Sequence, residues 1–162
     1  NPNRIISSVE ACYAHEEILG PDFAGYDRAL AHRIGPGREA SGTAYLRACE
    51  RRIEIAQRAH TRLADIDAFV TPSTLHSAAP LATVDVPENF TTWTRKCARN
   101  TGIGNLLGLA ALSLPCGFTD AGLPIGLMIH TKPRDEATVL RIGYAYEQAT
   151  DWHCHEPDLS WV

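Results

Sequence analysis

The chain has 162 residues, enough for one sizeable core, and its 44% hydrophobic and 21% charged residues are ordinary for a globular protein. A formal net charge of −4 and a pI near 6.0 argue against a nucleic-acid surface, which carries a basic face. No apolar run approaches the ~20 residues that span a bilayer, so no membrane partner is expected. The opening Asn1-Pro2-Asn3-Arg4 has neither a starting Met nor the layout of a signal peptide. The expectation is therefore that the chain begins in the middle of a gene product, and the expected location is cytoplasmic. Cys12, Cys49, Cys97, Cys116 and Cys154 are odd in number, widely spaced and free of any Cys-x-x-Cys. They read as reduced thiols, not as a zinc ribbon or a redox pair.

In chain order, Ile5–Leu19 reads as a modest helix stopped by Gly20-Pro21, since Gly tolerates the left-handed turn and Pro cannot donate. Phe23–Ile34 is a second helical stretch, stopped by Gly35-Pro36-Gly37. Leu46, Cys49, Ile53, Ala56, His60 and Leu63 recur three and four apart, which predicts one inward face of a long helix. Glu54 and Arg58 stand as a favourable i,i+4 pair on that helix. Ile66–Val70 reads as a short buried strand ended by Thr71-Pro72-Ser73, and Ser73–Asn89 as a long loop. Thr91–Arg99 builds a helix, and Asn100–Leu109 is a Gly-punctuated, partly helical approach carrying Asn100, Thr101 and Asn105. Ala110–Leu114 and Ile125–Ile129 are apolar runs of strand length. Between them, Pro115-Cys116-Gly117 and Asp120–Pro124 carry turn chemistry, so the two runs fold back as neighbouring strands. Asp135 then reads as the N-cap of a last helix with Val139, Ile142, Tyr146 and Ala149 inward, followed by an irregular tail from Trp152.

The stretch Asn100–His130 organises the rest. Asn105-Leu-Leu-Gly108-Leu-Ala, then Leu112-Ser-Leu-Pro-Cys-Gly-Phe118, then Gly122-Leu-Pro-Ile-Gly-Leu127, resembles the closing segment of the amidase signature family. Asp67-Ala-Phe-Val-Thr-Pro72 with Ala79-Pro80, and Glu136 through Thr150 with Trp152-His153, resemble other passages of the same family in the same order. Ala110 departs from the pattern, standing where the family often has Pro. The resemblance covers nearly the whole of this chain but about the last third of a family member.

That resemblance implies an α/β fold, a mixed β-sheet sandwiched by α-helices. Residues 1–162 would form the C-terminal part of a single domain whose catalytic core is absent from this chain. It implies a parent enzyme that cleaves the C–N bond of a carboxamide through a Ser–Ser–Lys triad lying upstream. There a Lys takes the proton of a bridging Ser held by a cis peptide, and the second Ser attacks the carbonyl while backbone N–H groups hold the oxyanion. No cofactor and no metal are implied. The implied partners are a small amide substrate, the N-terminal part of the same protein, and either a second copy or the other subunits of a tRNA-dependent amidotransferase. The A subunit of that enzyme is a close relative within the family. A non-catalytic fragment or scaffold is the rival reading, and the isolated chain is expected to be inactive.

The residues themselves offer no substitute triad. The two lysines, Lys96 and Lys132, sit in no Ser-x-x-Lys spacing, and Ser7-Ser8, the only Ser-Ser pair, has no flanking glycine. Cys116 reads as a small hydrophobe in a turn, and three adjacent residues, His153-Cys154-His155, cannot easily converge on one ion. Arg95, Lys96 and Arg99 form a positive cluster, either a solvated helix face or a fork for an anionic or carbonyl group. By their position in the family, Thr94, Arg99 and Asn105 are the candidates for lining a substrate pocket. For Asn105 a second reading stays open, an amide that bonds loop backbone.

Overall fold

The protein is described from a computed structural model, which covers residues 2–20, 25–26, 28–157 and 160. The chain divides into two compact units, Asn1–Thr61 and Arg62–Val162.

The first unit is helical. Helix α1 runs over Pro2–Leu19, α2 over Arg28–Ile34, α3 over Pro36–Glu39 and α4 over Gly42–Arg62. Of the expected helix over Phe23–Ile34, residues 23, 24 and 27 lie outside the described residues. The Gly35-Pro36-Gly37 breaker does end α2 but does not open a loop. Pro36 starts α3, because the first turn of a helix has no use for the N–H that proline lacks. Gly37 lets α3 lie directly on α1: a Cβ there would stand 2.1 Å from the Ser8 carbonyl oxygen. A small core joins Cys12 of α1 to Ile34, with Ala11, Tyr26, Leu30 and Ala31 around it. The Tyr45 hydroxyl of α4 donates to Glu10 of α1 at 3.0 Å. That bond, with Cys49 close by, holds the phenol in its protonated form and pushes its pKa up to about 12.

Helix α4 corrects two expectations. Its buried residue is Ala48, and Ala44, Arg47, Ala48 and Arg51 share a shallow groove with Pro2 and Ile5 of α1. Leu46 and Ile53, on the predicted inward face, are 63% and 57% exposed. The periodicity reports an apolar stripe truly present on the helix, but the groove beside α1 is lined by the neighbouring alanines and arginines. Arg51 pairs with Glu54 at 2.7 Å, one turn before the expected Glu54–Arg58 pair. With i,i+3 partners on the same face, Glu54 takes the nearer guanidinium.

The second unit is built on a three-stranded sheet. Strand β1 spans Ala68–Pro72, β2 Ala110–Phe118 and β3 Pro124–Thr131, in spatial order β1-β3-β2 and antiparallel throughout. Between β1 and β2 lie α5 (Leu81–Val84), α6 (Pro87–Cys97) and α7 (Thr101–Leu107). After β3 come α8 (Glu136–Gln148) and a 3-10 turn at Trp152–Cys154. The protein is thus α/β, helices against a small antiparallel sheet.

Several sequence boundaries shift. Thr71 and Pro72 do not end β1 but pair with Met128 and Leu127. Proline is tolerated because β1 is an edge strand with an unpaired side. Pro115-Cys116-Gly117 is not the turn either; it lies inside β2, where the register slips by one residue. The true turn is carried by Thr119–Leu123, closed at both ends by bonds between Thr119 and Leu123. Residues 73–89 are not one loop, since α5 and the start of α6 fall within them, Pro87 opening α6 as Pro36 opens α3. Asp135 sits at the N-cap of α8 with no side-chain capping bond. Thr131 fixes that corner instead, its hydroxyl donating to the Asp135 carbonyl at 3.0 Å. Ala149, expected inward, is exposed just past the end of α8.

The core forms where α8 covers one face of the sheet. Ala110 and Leu114 of β2, Ile129 of β3 and Val139 of α8 are buried together, with Ala68, Leu112, Leu127, Ile142 and Tyr146 packed around them. Gly143 permits this approach, because a Cβ there would meet Leu112 Cδ2 at 2.3 Å. No helix among the described residues is long and apolar enough to cross a membrane. All five cysteines are free thiols.

Candidate substrate-pocket face

Alternation along each strand sends every second residue to the face opposite α8. By register this face carries Phe69 and Thr71 of β1, Ala111 and Ser113 of β2, and Gly126, Met128 and His130 of β3. It differs chemically from the α8 face, having hydroxyls and an imidazole where the other has Leu, Ile and Val. Thr71 Oγ1 lies 3.2 Å from His130 Nε2. Just beyond β1, Ser73 Oγ lies 2.5 Å from Ser113 Oγ, and the Ser73 N–H donates to the Gly126 carbonyl at 2.7 Å. The two serines meet above Gly126, where a Cβ would stand 2.5 Å from one hydroxyl and 3.2 Å from the other.

Helix α7 lies on this face. At its N-terminus the Asn100 amide donates to the Pro72 carbonyl at 2.7 Å, tying the helix to the end of β1. In its middle, a Cβ on Gly104 would touch the His130 ring at 3.5 Å from Nδ1. At its C-terminus Gly108 adopts φ +69°, the left-handed cap that lets the chain turn into β2. His130 beneath it is fully buried (0% exposed), stacks on Phe69 with ring centroids 4.7 Å apart, and is held below the usual imidazole pKa by that burial.

Thr94, Arg99 and Asn105 lie along α6, the short link after it, and α7. Thr94 is half-buried and its carbonyl accepts the Ala98 N–H; Arg99 and Asn105 are exposed. No hydrogen bond or ion pair joins any two of them among the described residues. The backbone-bonding amide is Asn100, which anchors β1, while the Asn105 side chain makes no hydrogen bond among the described residues. Sequence reasoning passed over Ser73, Ser113 and His130. Ser113 interrupts an apolar strand at an outward position, and His130 falls one residue past the run taken as β3. Both are polar breaks in a two-residue period, the signal that could have found them.

Among the described residues, neither serine of this face is armed as a nucleophile. Ser73 and Ser113 bond each other, and Lys132 Nζ is engaged with the Ala64 carbonyl at 3.0 Å. The Cys116 thiol donates to the Ile125 carbonyl at 3.5 Å. In the tail, Cys154 Sγ lies 3.4 Å from His153 Nε2, whereas His155 Nδ1 donates to the Asp151 carbonyl. Among the described residues no three His, Cys, Asp or Glu side chains are grouped to hold a metal ion. Such a surface can offer and accept hydrogen bonds; its one imidazole stands beside the Thr71 hydroxyl, and among the described residues neither Ser73 nor Ser113 has a base bonded to it.

The sequence profile of the Amidase family matches residues 25–140. The chain belongs to the amidase family. Among curated members, it is 38% identical over 147 residues to the A subunit of the glutamyl-tRNA(Gln) amidotransferase of Synechococcus sp. (strain JA-2-3B'a(2-13)), an alignment covering 83% of this chain and 28% of that protein. It is 58% identical over 55 residues to the same subunit from Thermodesulfovibrio yellowstonii, covering 34% of this chain and 11% of that one. The chain therefore spans less than a third of the length of these amidase relatives. Among solved structures, a crystal structure of an amidase superposes with a TM-score of 0.67 at 21% identity, covering 88% of this chain and 33% of that one. An allophanate hydrolase of Kluyveromyces lactis superposes with a TM-score of 0.68 at 20% identity, covering 92% of this chain and 25% of that one. At such identities the likeness speaks for the amidase fold alone.

Proposed function

We propose that this chain is the C-terminal part of a single amidase-signature domain, and that it contributes pocket lining, not the reacting groups, to an enzyme cleaving a carboxamide. In this reading a Ser–cis-Ser–Lys triad outside the chain forms an acyl-serine, with no metal or cofactor, and the amide enters against the segment bearing Thr94, Arg99 and Asn105. An exposed guanidinium and an exposed amide suit a carbonyl or carboxylate on the substrate. The observation that carries the reading is the state of the hydroxyls: within a chain of amidase family, Ser73 and Ser113 bond each other and lack a base. A serine hydroxyl without a positioned base is a weak nucleophile.

A narrower version, an amidotransferase A subunit that passes released ammonia onward in the cytoplasm, is favoured by the 38% identity over 83% of the chain to such a protein. Other subunits of that assembly would then be its partners. The test is treatment of the 162-residue chain with a serine-directed fluorophosphonate, read by intact mass. No adduct is expected. A stoichiometric adduct on any serine of this chain would overturn the division of labour.

A further inference from the structure

We infer that His130 is a positioning residue, a proton-controlled latch whose uncharged ring holds α7 against the sheet and whose protonation releases it. Enclosure is the first reason. The ring has β1 on one side through Phe69 and Thr71, β2 across the register through Ala111, and α7 above through Gly104. None of these residues is titratable, and α7 from Thr101 to Leu107 carries no ionisable side chain. The nearest charges along the strands are Lys132, turned to the Ala64 carbonyl, and the exposed Asp67 before β1. No carboxylate therefore compensates a positive ring.

The two ring nitrogens make the same point atom by atom. Nε2 has Thr71 Oγ1, which can donate to it or accept from it. Nδ1 has no hydrogen-bond partner among the described residues and faces Gly104. In the neutral ring one nitrogen can go without a proton, so a missing partner is tolerable. In the imidazolium both nitrogens carry one, and a charged N–H would point at the backbone of α7 with nothing to accept it. An unpaired buried charge is among the costliest things a fold can hold. The cheapest relief is to lift α7, a seven-residue helix tied at its start by the Asn100–Pro72 bond.

The sign follows from linkage. A histidine whose folded-state pKa is lowered stabilises the closed form at pH above its open-state value of about 6.5 and ceases to as pH falls. Between that value and the folded-state pKa, closure weakens by up to about tenfold per pH unit. Because α7 carries Asn105, acid would loosen the segment assigned above to substrate; that link rests on the proposed function, while the docking does not.

Amide hydrogen exchange of the 162-residue chain, corrected for intrinsic rates, tests the latch. From pH 7.5 to 5.0 the Gly108 and Leu109 amides, both bonded to the Gly104 carbonyl, should lose protection relative to amides in the middle of α8, by up to about tenfold for each pH unit below about 6.5. In His130→Phe, which keeps a flat ring without a proton to gain, that pH dependence should vanish. Equal losses in α7 and α8, or an unchanged loss in His130→Phe, would overturn the latch. Should that variant fail to fold, direct NMR titration of His130 decides, a ring pKa at or above about 6.5 being fatal. A fluorophosphonate adduct would sink the functional reading and leave the exchange result standing.

Discussion

The two units of this chain bury their apolar residues by different means. In Arg62–Val162, Ile129 is sealed because its own neighbours in the sheet and α8 surround it, and those neighbours are all present in the unit. In Asn1–Thr61, Tyr13 and Ile18 of α1 and Leu46 and Ile53 of α4 stay exposed, while burial is concentrated at Cys12, Ile34, Ala48 and the α1–α3 contact. A strand brings its partners through backbone pairing, whereas an amphipathic helix announces a face without saying what meets it. The hydrophobic pattern thus locates the centre of the second unit, around Ile129, although Val70 of the run read as a buried strand and Leu140 and Tyr144 of α8 stay exposed there.

That contrast can be broken deliberately. Trp93 and Trp152 belong to the second unit and residues 1–61 contain no tryptophan, so tryptophan fluorescence does not read the first unit, while far-UV circular dichroism reads helices of both. Ile129→Ala should cost about 2–5 kcal/mol, as for other large-to-small core changes, and move the urea midpoint of the tryptophan transition. Gly37→Ala should cost about 1–3 kcal/mol through overpacking, because the new methyl meets the Ser8 and Val9 backbone, which cannot swing aside as a side chain would. Its effect should appear in the helical signal and leave the tryptophan midpoint in place. If Gly37→Ala shifted both signals equally, the two units would be unfolding as one. Smallest of all, Leu46→Ala and Ile53→Ala on α4 should each change stability by no more than about 0.5 kcal/mol, the usual range for surface positions. A loss above about 2 kcal/mol, as for a core residue, would mean that the stripe is covered in solution.

Much of the second unit was legible in the sequence. The runs around Leu112 and Ile129 announced two adjacent strands, and Val139, Ile142 and Tyr146 announced the helix that covers them. What stayed hidden depends on the third dimension. Pro72 and Pro115 look like strand ends until one knows that β1 and β2 are edges, where a missing donor costs nothing. Asp135 looks like a cap, but Thr131, brought to the corner by β3, takes the corner bond. The proposed pocket residues can be named from the sequence only as a segment. Thr94, Arg99 and Asn105 could be chosen from their place in the chain. The Ser73–Ser113 and Thr71–His130 contacts join residues 40 and 59 positions apart, and no local pattern encodes such pairs.

The extra residue at Cys116 sets the phase of everything beyond it in β2. Up to Leu114 the strand presents its even-numbered residues to α8; after the slip Gly117 pairs with Ile125 and Phe118 with Pro124, so parity is inverted. Beyond the slip Phe118 lies beside Trp152 and His155, and a Cβ on Gly117 would stand 3.9 Å from the Trp152 ring. The hairpin therefore takes up one extra residue without changing the partners of those that follow it. Removing Cys116 would leave an ordinary ladder in which Gly117 still meets Ile125 and Phe118 still meets Pro124, so the aromatic surface under the tail would keep its face. Length at this position is thus something β2 can vary while the end of the fold keeps its footing.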